Sequence, residues 1–449
     1  MNAVEAHSAP LSPWSLLTSR WRSALGQGAI VLVGYALVAM IGMGALRLYT
    51  ELAPKAVFGE SNLLLTMLAL GMQLFVAPFS NTQLRYHTEA QARGSVDAFS
   101  REVFIWSLRA ATALGAVAFI GCLLSGALGG LPLSLTVALC AAVWALATAT
   151  RNVLINRLQA ERKRLTYVGL LVTEAILTTV FTGAALAFAA NTGSYVAGQA
   201  AAAIALALVI AWLSPLSLRP STQSKAASAE YRQRALKYGL PFAPLAILNW
   251  VSNLADRYVL GIVLGAAAVG QYVAPLSIAS RAMTMTSGAL TDLIRPSLFD
   301  AENRGQLARA RNVFLFWITV SASVGAGAVL FILFAGDWVA RLLLSESYRT
   351  GAVPVMAWVA AGFAVFGLNQ AFENRLMSLG RTAQLMVPTA IGAIANVVLS
   401  LLLVRRHGIL GAAQASCLSF VAQCLVTAGF MIVALRRRTA ATASGSSVS

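Results

Sequence analysis

The sequence predicts an all-α, polytopic membrane protein with about 12 transmembrane helices, arranged as two parallel six-helix lobes around a central cavity. Three observations lead to this prediction: an apolar composition with few charges, a series of membrane-length apolar segments, and an internal repeat. We expect the lobes to comprise residues 1–219 and 220–449, the second ending in a short disordered tail from Ala440.

The composition places the chain in a membrane. Hydrophobic residues make up 58% of the 449 residues and charged residues only 11%, whereas a soluble domain carries roughly 25% charged residues. The formal net charge of +17 is the balance expected when Lys and Arg gather in cytoplasmic loops. We therefore predict a bilayer as the environment and no nucleic-acid partner.

Apolar segments of about 20 residues are long enough to span the hydrocarbon core, and the chain contains twelve of them. They are 28–48, 61–81, 103–125, 131–150, 166–189, 193–213, 238–262, 266–291, 311–335, 351–372, 383–404 and 409–435. A polar linker, 214–237, divides them into two groups of six.

The two groups are related by an offset of 211 positions. The matching pairs are Gly28 and Gly239, Gly59 and Gly270, Arg93 and Arg304, and Gly94 and Gly305. Because each half contains an even number of spans, the halves have the same orientation. Parallel repeats of this kind occur in transporters, whose substrate site lies between them.

The distribution of basic residues predicts the orientation. With both termini in the cytoplasm, the inside segments hold 24 Lys and Arg residues, because positive charge resists translocation. The outside loops hold six: Arg47, Lys55, Arg341, Arg349, Arg405 and Arg406.

Short words in the sequence resemble a known family. Around the seventh span these are Tyr238-Gly239-Leu240-Pro241, Asn249-Trp250 and Asp256-Arg257-Tyr258, with Leu52-Ala53-Pro54, Phe58-Gly59, Ser347-Tyr348 and Gly380-Arg381-Thr382 elsewhere. Together they are similar to polysaccharide transporters and O-antigen flippases of the multidrug, oligosaccharidyl-lipid and polysaccharide exporter superfamily. Many relatives have fourteen spans, and this chain has room for twelve.

The resemblance implies a multi-pass protein of the bacterial inner membrane that flips an oligosaccharide linked to polyprenyl pyrophosphate, such as an O-antigen or exopolysaccharide unit. We also expect no cofactor and no enzymatic step, since the sequence has neither a phosphate-binding loop of the Walker type nor a catalytic constellation. The implied partners are the lipid-linked oligosaccharide, the bilayer, and a polysaccharide polymerase or glycosyltransferases of the same pathway. We expect a monomer.

Four arginines are candidate contacts for the pyrophosphate, since a guanidinium donates two parallel hydrogen bonds to a phosphate group. They are Arg281, Arg257, Arg109 and Arg47. Arg281 lies in a polar stripe of the eighth span. Alternatively, Arg281 pairs with Glu174 or Asp292, Arg257 belongs to a structural ion pair, and Arg47 extends to the interface.

Three carboxylates inside spans are candidate ion-coupling residues, because charges within a membrane are costly and often functional. They are Glu174, Asp256 and Asp292. Glu174 lies among threonines and has no basic residue one turn away on its own helix. Its alternative role is that of a counter-charge to an arginine, and the alternative for Asp256 is a structural ion pair with another helix.

Two other functions remain open at this level. A cation-coupled antiporter of the multidrug and toxin extrusion type would line its cavity with acids, and the spans contain three acids beside their arginines. A membrane enzyme acting on the same lipid-linked sugar would need a catalytic constellation. We find none, and three scattered histidines predict no metal site.

Overall fold

The computed structural model describes residues 13–127, 135–161, 163–213, 230, 232–234, 236–237 and 243–445, and its regular elements in these ranges are all helical. The described ranges contain twelve long helices. They are α1 (Pro13–Leu52), α2 (Lys55–Ala92), α3 (Val96–Ala127), α4 (Leu135–Ala160), α5 (Arg164–Phe188), α6 (Thr192–Leu213), α7 (Ala243–Leu264), α8 (Ala266–Asn303), α9 (Leu307–Leu343), α10 (Ala352–Ser378), α11 (Met386–His407) and α12 (Ile409–Gly445). The predicted all-α, polytopic fold is confirmed.

Ten of these helices are long and apolar enough to cross a membrane. The two exceptions in the described part of the chain are α7 and α8, which carry the polar and charged residues discussed below. Several helices continue beyond the predicted spans, since hydropathy detects only the hydrocarbon-facing part. Thus α8 reaches Asn303, and α12 continues to Gly445, into the segment that we predicted to be a disordered tail. Most of the predicted linker, 214–229, lies outside the described residues.

Helix α2 is interrupted near its middle. A π-helical turn, Met72–Val76, precedes Pro78. Proline has no N–H to donate to the preceding turn, and its ring crowds the carbonyl four residues back. The wider π turn is a common way to absorb such a defect.

The helix packing in the first half recurs in the second. In the first half α1 packs on α5, α2 on α3 and α4, α3 on α4, α4 on α6, and α5 on α6. The second half shows α7 on α11, α8 on α9 and α10, α9 on α10, α10 on α12, and α11 on α12. Each packed pair in the second half corresponds to a pair in the first half whose helix numbers are lower by six.

The repeat is also present in a pair of turns. Gly94 (φ 65°) and Gly305 (φ 68°), 211 positions apart, are both left-handed. The N–H of the residue after each glycine bonds the carbonyl five residues back at 2.9 Å, which is the Schellman arrangement that ends a helix. Before each glycine, an arginine pairs with an acid one turn earlier: Arg93 with Glu89 and Arg304 with Asp300.

The most direct contact between the halves involves another repeated pair. A Cβ added to Gly59 would lie 2.0 Å from the carbonyl oxygen of Ala266, and one added to Gly270 would lie 2.0 Å from that of Lys55. Because Lys55 and Ala266 are also 211 positions apart, the contact is reciprocal, as at a two-fold axis. Only glycine allows α2 and α8 to approach so closely.

The loops at the predicted outer side also join the halves. The Ser345 hydroxyl donates to the carbonyl of Thr50 at 2.6 Å, and the Tyr348 hydroxyl donates to that of Ala53 at 2.9 Å. Tyr348 also packs edge-on against Phe58. In this conformation the two halves are therefore held together at that side.

Candidate functional site

A cavity of about 510 Å³ lies where α8 meets the first half, and we call it the polar cavity after the polar side chains in its lining. Its walls come from α1, α2, α5, α6 and α8. The polar lining residues are Tyr49, Asn62, Glu174, Thr178, Thr179, Tyr195, Gln199, Ser277, Arg281 and Thr284. The volume falls in the range of ordinary ligand pockets, roughly 300–1,000 Å³. Four of the five helices that line it belong to the first half, so the site is asymmetric despite the repeat.

Arg281 is the cation in this cavity. Ser277, Arg281 and Thr284 line it together, because residues four and seven positions apart share a helix face. Arg281 is exposed and forms no ion pair with any described residue. Its guanidinium lies against Gly42 of α1, where an added Cβ would be 2.4 Å from Nη1. The alternative considered for Arg281, an ion pair with Glu174 or Asp292, is absent from the described part of the structure.

Glu174 lines the same cavity but has a partner, since its carboxylate forms an ion pair with Arg151 of α4. Arg151 also donates to the Asn152 side chain at 2.9 Å. The predicted fourth span ends at residue 150, which places Arg151 in a cytoplasmic loop, whereas α4 continues to Ala160. Our alternative role for Glu174, a counter-charge, thus has a partner that the sequence did not reveal.

Arg47 does not line the cavity. Its guanidinium bonds the carbonyl oxygens of Arg341 and Leu344 at the end of α9 and forms an ion pair with Glu51. The last carbonyls of a helix have no partner within the helix, and a cation placed there stabilises them. In this conformation Arg47 therefore caps α9 as part of the closed outer side.

Arg109 lies on the exposed surface of α3. Its guanidinium stacks over the ring of Trp106, 4.7 Å from the centroid, and Arg232 approaches the same ring at 5.2 Å. This is a cation–π arrangement. Arg109 does not line the cavity.

Asp256 and Arg257 of α7 lie outside the cavity lining. Asp256 is 1% exposed and accepts hydrogen bonds from the hydroxyls of Tyr272 and Ser416, on α8 and α12, at 2.5 and 2.8 Å. Its other oxygen accepts the Arg257 backbone N–H. Among described residues neither side chain has an ion-pair partner, and the buried Nε of Arg257 has no hydrogen-bond partner. The partners of Asp256 are hydroxyl groups, where we had considered a cation.

Asp292 is exposed on α8 and does not line the cavity. A carboxylate that the sequence reasoning missed is Glu373 of α10, one residue beyond the predicted end of the tenth span. It accepts from Asn369 at 2.8 Å and from Gln423 at 3.4 Å. Of the seven predicted site residues, the cavity brings together Arg281 and Glu174.

Solved structures share this fold. An inward-facing multidrug resistance MATE family transporter of the MOP superfamily is 16% identical, with 91% of this chain and 95% of that chain covered and a TM-score of 0.66. The lipid II flippase MurJ, in an inward closed conformation, is 12% identical, with 89% and 86% covered and a TM-score of 0.70. A MOP superfamily transporter from Pyrococcus furiosus is 16% identical, with 92% and 94% covered and a TM-score of 0.62.

No curated protein sequence matches the chain. The profile of a family described as polysaccharide biosynthesis protein matches residues 91–354, which is more than half of the sequence. This multi-pass, all-α membrane protein with the fold of the MOP superfamily transporters therefore belongs to the polysaccharide biosynthesis protein family.

Proposed function

We propose that the protein flips a polyprenyl-pyrophosphate-linked oligosaccharide, an O-antigen or exopolysaccharide unit, from the cytoplasmic to the outer leaflet of the bacterial inner membrane. The observation that carries this proposal is Arg281, a guanidinium that faces the polar cavity and has no ion-pair partner among described residues. An unpaired guanidinium that faces a cavity favours an anionic ligand, and its planar fork matches a pyrophosphate. Membership of a polysaccharide biosynthesis family supports a glycan cargo.

The movement that we propose is alternating access between two lobes, residues 1–219 and 220–449, with both termini in the cytoplasm. The recurring helix pairs and the reciprocal contact of Gly59 with Gly270 support two similar bodies meeting along a pseudo-two-fold axis. Since the predicted outer side is closed by Ser345 and Tyr348, this conformation would receive cargo from the cytoplasmic leaflet. The polyprenyl tail would remain in lipid while the headgroup enters the cavity.

The cargo class is tested by comparing ligands on the purified protein. We expect polyprenyl pyrophosphate to raise the melting temperature, polyprenyl monophosphate to raise it less because it offers fewer acceptors to Arg281, and a lipophilic cation to leave it unchanged. Stabilisation by the cation alone would reject the flippase in favour of the antiporter.

The second candidate function, a cation-coupled antiporter of the multidrug and toxin extrusion type, rests on Glu174. This carboxylate lines the cavity and could face a cationic ligand. Arg151 already neutralises it, however, whereas no described acid neutralises Arg281. The charge balance at the cavity therefore favours an anionic cargo.

We further propose that ion coupling runs through Asp256 and that Glu174 is structural. Asp256 is buried and its side-chain partners are neutral donors, so its carboxylate is free to bind a proton or a monovalent cation. The carboxylate of Glu174, in contrast, is already paired with the guanidinium of Arg151. Because its donors lie on α8 and α12, occupancy of Asp256 would alter the contacts of both helices with α7.

Matched amide substitutions separate the two carboxylates. Glu174→Gln should lower the free energy of unfolding by about 1–3 kcal/mol, because Arg151 loses its charged partner, and should leave the pH dependence of transport intact. Asp256→Asn should remove the dependence of transport on pH, measured as the rate of glycan flipping into vesicles with and without an imposed pH gradient. If Asp256→Asn keeps this dependence and Glu174→Gln loses it, the two assignments are reversed.

A further inference from the structure

A second cavity, of about 400 Å³, lies at the predicted cytoplasmic ends of α8, α10 and α12, away from the polar cavity described above. Arginines dominate its polar lining. The lining residues are Glu302, Asn303, Ser378, Leu379, Arg381, Ala434, Arg437 and Arg438. This second cavity shares no lining residue with the polar cavity and has no role in the flipping that we propose there.

The acid in this cavity is already neutralised. Glu302 is buried, and its carboxylate forms ion pairs with Arg375, whose side chain is 5% exposed, and with Arg438. Through these pairs Glu302 connects α8, α10 and α12. Arg381 and Arg437 are exposed and form no ion pair with a described residue. Four arginines thus accompany one glutamate, which leaves an excess of positive charge around a preformed cavity.

We propose that this cavity binds the phosphate group of an anionic membrane lipid. Two unpaired arginines in the lining of one cavity suit a phosphate, which accepts paired hydrogen bonds from each, and basic cavities between helices on the cytoplasmic side suit anionic headgroups. The neighbouring surface favours a lipid over free phosphate. Exposed apolar side chains lie close in sequence to the lining residues: Val433 precedes Ala434 on α12, and Met386 and Val387 follow Arg381 by five and six positions. Acyl chains therefore have apolar surface to follow on these helices.

The test compares two double variants of equal charge change. Arg381→Gln/Arg437→Gln removes the unpaired cations of the cavity, and Arg295→Gln/Arg311→Gln removes two exposed cations of α8 and α9 that do not line it. Each purified protein is titrated with phosphatidylglycerol, with phosphatidylcholine, and separately with inorganic phosphate, and bound lipid is counted by native mass spectrometry.

We expect the cavity variant to bind phosphatidylglycerol roughly 30-fold more weakly than the unchanged protein and to lose one bound lipid, and the control to keep both. Phosphatidylcholine should bind all three proteins alike. If the cavity variant loses affinity for inorganic phosphate alone, the cavity binds a phosphate group but the proposal of a lipid as its source is wrong. Equal phosphatidylglycerol affinities in the two variants would overturn the proposal. Melting temperatures confirm folding, and the single variant Arg437→Gln, which should give an intermediate loss, replaces the double variant if that one unfolds.

Discussion

Gly270→Ala is expected to destabilise the protein and to abolish transport. The new Cβ would lie 2.0 Å from the carbonyl oxygen of Lys55, and backbone cannot move aside as a flexible side chain can. Helices α2 and α8 must then separate, at a cost of about 1–3 kcal/mol or more. We expect a lower melting temperature of the purified protein and loss of the conformation closed at the outer side.

Gly288→Ala is the matched control, because it lies on the same helix and an added Cβ there meets nothing within 4 Å. Gly59→Ala should resemble Gly270→Ala, since the contact is reciprocal. The Gly59→Ala/Gly270→Ala protein should lose less stability than the sum of the single variants, because both disturb one contact. Equal melting temperatures for Gly270→Ala and Gly288→Ala would show that α2 and α8 do not meet in this way.

Arg281→Ala is expected to abolish glycan flipping while the protein remains folded. Its guanidinium has no described ion-pair partner whose loss would unfold the chain, whereas a pyrophosphate in the cavity would lose charge-assisted hydrogen bonds. We expect the affinity for polyprenyl pyrophosphate to fall roughly 30-fold or more. Arg281→Lys should recover part of this, because Lys keeps the charge and lacks the planar fork.

Arg109→Ala controls for the loss of one intramembrane charge, because Arg109 stacks on Trp106 outside the cavity and its removal should leave affinity unchanged. Gly42→Ala should have a smaller effect, since its Cβ would displace the Arg281 guanidinium by contact with Nη1 without removing it. It should lower the affinity for polyprenyl pyrophosphate less than Arg281→Ala does. Normal affinity in Arg281→Ala would exclude a role for this residue in headgroup binding.

The sequence by itself determined the helical membrane fold. A chain in hydrocarbon must satisfy its backbone hydrogen bonds internally, so each apolar segment of sufficient length predicts one helix, and the starts of α8 and α12 coincide with the predicted ones. The 211-residue offset relates Gly59 to Gly270 and Gly94 to Gly305. These positions require glycine in both halves, the first pair for the close approach of two helices and the second for a left-handed turn. Local and repeated constraints of this kind can be read along the chain.

Only the tertiary structure decided which charges meet. Arg281, Arg47 and Arg109 are all candidate pyrophosphate contacts in the sequence, yet one faces the cavity, one caps α9 and one stacks on Trp106. Glu174 finds Arg151, and Asp256 finds Tyr272 and Ser416, on neighbouring helices. The partner of a charged side chain depends on the rotation and depth of two packed helices, and helix packing fixes both through many small contacts that hydropathy does not record.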